Sequence, residues 1–177
     1  MPAEWTPAHD RLAALREAFD RSFADAPAAP VPLADLLDVR LGSASYALRV
    51  TELSGLFAAL PLTRLPSPVQ ELLGLTAVRG AILPVYDLRA LLGYAADETP
   101  GWVAIAASGA VGLAFDAFNR HLRVPRDAII PHAGGDSVMR HVREMVQLDG
   151  RTRPIISVAS VLDDLASRVR SIAPEKE

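Results

Sequence analysis

The chain contains no cysteine, which excludes disulfides, thiolate nucleophiles and zinc–thiolate sites at the outset. Lysine is nearly as scarce: Lys176 stands alone, so arginine carries almost all of the positive charge. With a net charge of -3 there is no cationic excess for a sequence-independent grip on nucleic acid or anionic lipid. No apolar run approaches the ~18–20 residues of a membrane span. The N-terminus also lacks the basic-then-apolar layout of a secretion signal, so a cytoplasmic protein is expected.

What remains is enough for one domain. At 177 residues the chain can bury a core of its own, and its charged fraction of 22% is ordinary for a globular protein. Four segments are expected: an amphipathic helix within 1–24, an Ala/Pro linker at 25–32, a folded domain at 33–172 and a frayed tail at 173–177. Trp5, Leu12, Leu15, Phe19 and Phe23 recur at helical spacing, with Arg16, Glu17 and Asp20 on the other face. Three prolines in the linker rule out continuation of that helix.

From Leu33 onward the pattern is of short strands. Gly42-Ser43 separates two apolar runs, Tyr46–Val50 alternates with period two, and Asp149-Gly150 marks a tight hairpin turn. Further strands are expected at 74–93, 102–106, 111–115 and 121–124. Many short strands punctuated by Gly and Pro indicate a mainly β barrel or sandwich. A terminal helix is expected over about 158–172, with Ser160 and Asp163 as a capping box.

The side chains that usually carry chemistry are scattered. His9, His121, His132 and His141 lack ligand spacing, so no metal is expected. Asp87 and Asp116 fall at strand ends, where aspartate commonly bonds backbone N–H groups. No serine sits in a nucleophile elbow and no glycine group forms a phosphate loop. Neither an enzyme nor a cofactor is expected. Arg79-Gly80 stands apart: an arginine at a turn between apolar strands either braces buried groups or meets a partner, and the residues alone leave both open.

The stretch Leu36–Leu92 resembles a CheW-type coupling protein of bacterial chemotaxis. The residues that carry the likeness are Tyr46–Val50, Leu62–Pro66, Gly74 through Arg79-Gly80, and Leu83-Pro84-Val85-Tyr86-Asp87-Leu88-Arg89. Val111–Phe118 and Ile129-Ile130-Pro131 extend it. The resemblance implies two packed five-stranded β-barrels and no enzymatic activity. It further implies an adaptor joining the cytoplasmic tip of a chemoreceptor to the regulatory domain of a CheA-type histidine kinase, at membrane-associated arrays. The partner-binding positions so implied are Leu53, Gly55, Gly74, Ala77, Arg79 and Gly80. The chain departs from the family pattern at Leu53-Ser54-Gly55, where a glutamate is usual at Gly55, at Ala77, usually asparagine, and at Val142–Met145 and Ser157-Val158. Those departures leave a second reading, a CheW-like module that binds a small ligand or a partner outside chemotaxis.

Overall fold

In the computed structural model the described residues are 15–17, 19, 31–95, 99–133, 139–148 and 150–172. The chain divides into two compact units, Met1–Val31 and Pro32–Glu177. In the first, residues 15–17 and 19 are helical. The rest of the expected 1–24 helix lies outside the described residues, as do the linker up to residue 30 and the 173–177 tail.

The second unit is mainly β. Its strands are β1 (Leu33–Leu41), β2 (Ala44–Arg49), β3 (Leu53–Ala58), β4 (Leu72–Val78), β5 (Ala81–Asp87), β6 (Trp102–Ala106), β7 (Gly112–Phe115), β8 (Ala117–Pro125), β9 (Ile129–Pro131), β10 (Val142–Leu148) and β11 (Arg151–Ile156). Two helices, α1 (Leu88–Leu91) and α2 (Val158–Ile172), complete it. The strands form two sheets, ordered β8-β1-β2-β11-β10-β9 and β3-β6-β7-β5-β4. Each contains two hairpins joined by one parallel pair, β2 with β11 and β5 with β7, and a fifth strand antiparallel to the outer hairpin strand, β8 beside β1 and β3 beside β6. The expected five-strand unit recurs in both; the first sheet gains a sixth strand because the short β9 pairs with β10.

Both sheets curl. β8 and β9 occupy opposite edges of the first, yet only the turn Arg126–Ala128 separates them. That link reaches roughly 14 Å, whereas six flat strands would hold the edges about 24 Å apart. In the second sheet the chain leaving β3 swings across to the β4 edge. Thr63 and Leu75 exchange backbone hydrogen bonds there, each 2.8 Å long.

Alternation along the strands sorts the core into three parts. Leu36, Ala47, Leu122, Val146 and Ile155 fill the first barrel. Leu83, Val85, Val103, Ile105 and Ala114 fill the second. The opposite faces, with Leu48, Tyr86, Leu113, Phe115 and Ile156 among them, meet in a shared core that Val158, Val161 and Leu165 of α2 cover. Strands buried on both faces explain the near-continuous apolar runs in the sequence. Ser157 caps α2 by accepting from the Ser160 N–H at 3.2 Å, so the expected cap at Ser160 lies one turn too late. The expected short strand at 121–124 is the second half of the nine-residue β8, whose exposed polar Asn119-Arg120 hides its continuity with the half-buried Ala117-Phe118.

The chain passes from the second barrel back to the first at a single residue, Asp116, between β7 and β8. Arg89, 3% exposed, places its guanidinium 2.7 Å from Asp87 and 2.7 Å from Asp116, both equally buried. Asp87 also caps α1 by accepting from the Arg89 N–H, and Asp116 accepts from the Gly42 N–H in the β1–β2 turn. Both aspartates thus bond backbone N–H groups as their positions suggest, and the arginine ties them together. Replacing Arg89 with methionine would leave two buried carboxylates without their cation. We expect urea unfolding to show a loss of about 3–5 kcal/mol; a loss under about 1 kcal/mol, the scale of an exposed pair, would contradict this role.

Candidate partner-docking site

The β4–β5 hairpin closes through two residues, Arg79 and Gly80, with Val78 paired to Ala81. Both turn residues have positive φ, +51° at Arg79 and +83° at Gly80. That combination is the two-residue turn whose twist matches antiparallel strands, and glycine meets its second position without strain. The conformation aims the Arg79 side chain outward. It is exposed, and it forms no hydrogen bond or ion pair among the described residues. Beside it, at the end of the second barrel, opens a hollow of about 290 Å³, walled by Phe57, Val78, Leu83 and Ile105 and rimmed by Ser54, Arg79 and the turn after β6. Arg79 is its one charged wall residue.

The other implied positions divide between surface and interior. Ala77 is exposed on β4 directly across from Ile82, itself 72% exposed. Gly55 sits at a bulge in β3, where an added methyl would lie 2.7 Å from the Phe57 ring. Leu53 is half-buried against the shared core. Gly74 is buried, with φ +148°, and an added methyl would collide with the Thr63 carbonyl. Gly74 therefore permits the close approach that shuts the second barrel. Ala77, Arg79 and Gly80 share one hairpin end, while Leu53 and Gly74 turn inward. Sequence reasoning missed Phe57 and Ile82. Ile82 was legible in principle, since it alternates with Leu83 and Val85 on the face opposite the barrel interior.

A second polar cluster surrounds the start of α2. Glu52, at the chain's crossing from β2 to β3, accepts from the Val158 N–H at 3.0 Å. Arg49 donates to Glu144 at 2.9 Å. His141, 1% exposed, lies with Nδ1 3.1 Å from the Ser160 hydroxyl and Nε2 3.5 Å from Asp164. Asp164 is held by Arg168 at 2.8 Å. Burial and the nearby Arg140, Arg143 and Arg168 hold the His141 imidazole below its ordinary pKa against the pull of Asp164. No group of His, Asp and Glu suited to a metal ion occurs among the described residues. Nor is any described helix long and apolar enough to cross a membrane.

The two barrels, their shared core and the displayed hairpin define a β scaffold. Residues 35–166 match the family described as the CheW-like domain, and the chain belongs to it. It is 32% identical over 123 residues to protein FrzA of Myxococcus xanthus, covering 67% of this chain and 74% of that protein. It is 29% identical over 133 residues to chemotaxis protein CheW of Rhizobium meliloti, covering 72% and 86%. The crystal structure of the scaffolding protein TtCheW from Thermoanaerobacter tengcongensis superposes with a TM-score of 0.65 at 19% identity, covering 72% of this chain and 90% of that one. That likeness establishes the fold. The chain is accordingly a non-enzymatic CheW-like scaffold of chemotaxis signalling.

His141 gives this scaffold a pH signature. With its folded pKa below the unfolded value near 6.5, the unfolded chain takes up the proton first. Its contribution is complete above that value and is lost as the pH falls through it. Denaturation between pH 7.5 and 5 should show a steeper loss of stability in the native chain than in His141→Gln, which keeps a polar partner for Ser160. Equal slopes would contradict the assignment.

Proposed function

We propose that the chain couples the cytoplasmic tip of a chemoreceptor to the regulatory domain of a CheA-type histidine kinase. Arg79 and the hollow beside it form the docking point. The observation that carries this reading is an arginine presented at a two-residue turn, without an ion-pair partner among the described residues, above an apolar hollow. An arginine so placed offers a planar five-donor fork to a carboxylate or carbonyl, and the apolar wall supplies area that excludes water. Arg79 is the one charged residue lining the hollow, which favours an acidic group brought by the partner. Ala77 and Ile82 extend the same hairpin end with exposed apolar surface.

Family membership and the chemotaxis names of the relatives support the pathway. In that setting the chain works in the cytoplasm, recruited to membrane-associated receptor arrays. Residues 33–172 are the working domain of this reading. The small-ligand reading has no comparable support: the hollow is mostly apolar and offers a single charged group.

Calorimetric titration of the full chain against the kinase regulatory domain and a receptor-tip fragment from the same genome tests this. Wild type should bind, and Arg79→Glu should weaken binding at least about tenfold, or 1.4 kcal/mol, with an unchanged melting curve. Absence of wild-type binding to both would overturn the coupling reading. Full binding by Arg79→Glu would overturn the docking point alone.

A further inference from the structure

Helix α2 has a second apolar face that the shared core leaves uncovered. Val158, Val161 and Leu165 point into the core. Ala159, Leu162, Ala166 and Val169 recur at spacings of three, four and three residues on an adjacent stripe. Ala159, Ala166 and Val169 are exposed, Val169 by 42%. Beside the stripe lies an apolar groove of about 450 Å³, floored by Tyr86 and Val111 and walled by Leu162, Leu165, Ala166 and Val169.

The charges of α2 fall into two sets. Asp164 and Arg168, on the flank toward the barrels, pair with each other at 2.8 Å, and Arg168 also reaches Glu71. Asp163 and Arg170, both exposed beside the uncovered stripe with Arg170 at the rim of the groove, form no ion pair among the described residues. Arg170 donates only to the Ser167 hydroxyl, at 3.4 Å. Seven residues apart, Asp163 and Arg170 stand about 10 Å from each other along the axis and do not meet within one helix.

We infer that α2 is the seam of a twofold dimer in which the α2 helices of two copies of this chain pair antiparallel about Ala166. A dyad near Ala166 brings Leu162 of one copy against Val169 of the other, and Asp163 against Arg170. Each contact occurs twice, as an isologous interface requires. The alanine at the crossing lets the helices approach closely, and the opposing Leu162 and Val169 fill the groove over Tyr86 and Val111. A partner of one charge sign would satisfy either Asp163 or Arg170; a second copy satisfies both. One pair of 15-residue helices lies at the small end of specific interfaces, so the dimer is weak, in the micromolar range. This inference does not depend on the kinase-coupling reading.

Sedimentation of the full chain over a concentration series tests it. The weight-average mass should rise from the 18.9 kDa monomer toward twice that value. Arg170→Glu places two carboxylates at each dyad-related contact and should weaken association at least about tenfold. The double reversal Asp163→Arg with Arg170→Glu restores opposite charges and should restore the dimer, which a folding defect would not do. A wild type that stays at 18.9 kDa at every concentration overturns the inference and leaves the groove to another partner. A double reversal no better than the single one overturns the antiparallel pairing.

Discussion

The fold depends on one buried cation. Arg89 sits where the chain leaves the second barrel for the first, and it neutralises Asp87 at the end of β5 and Asp116 at the crossing itself. Through Asp116 the contact continues to the Gly42 N–H, at the tip of the first barrel's leading hairpin. A buried ion group of this kind adds little net stability over an apolar equivalent, but it penalises every arrangement that separates its members. Here it specifies how the two barrels join. Glu52 does related work at the other crossing, where it caps α2 from a distance. The apolar shared core supplies most of the favourable free energy, and the carboxylates at the two crossings set the register in which that core closes.

This division of labour explains what the sequence could and could not reveal. Hairpins were legible because their turns have local chemistry: Gly42-Ser43, Arg79-Gly80 and the Gly150 turn each close adjacent strands. The mainly β class followed from strand spacing. Pairing between distant strands was not legible. Nothing local in β8 announces that it pairs with β1, or that β9 will add a sixth strand beyond β10. Asp87-Leu88-Arg89 and Asp116 could be read as motif residues, yet their meeting across the fold is a tertiary fact. Gly74 shows the same limit: its need for space comes from Thr63, eleven residues upstream and on the opposite side of a barrel seam.

The turn that carries the proposed docking point was more legible than the fold around it. Arg79 and Gly80 occupy the turn their sequence suggests, with the side chain presented outward. The hollow beside them was hidden, because residues from β3, β4, β5, β6 and the turn after β6 come together only in the folded barrel to line it. The turn stands between two seven-residue strands, so a partner that met it would cost little conformational entropy in ordering it. The barrels behind the turn hold it in place, so under the proposed docking role no moving part is required.

That account has a central physical claim: the two barrels, locked at their crossings, behave as one rigid body. Native-state amide hydrogen exchange tests it most directly, by comparing the slowest amides of β1 and β2 with those of β6 and β7. The account predicts a single opening free energy for both barrels, equal to that of global unfolding. A second barrel that opens at distinctly lower free energy than the first would contradict it, and would make the Arg79 hairpin part of a separable, mobile unit.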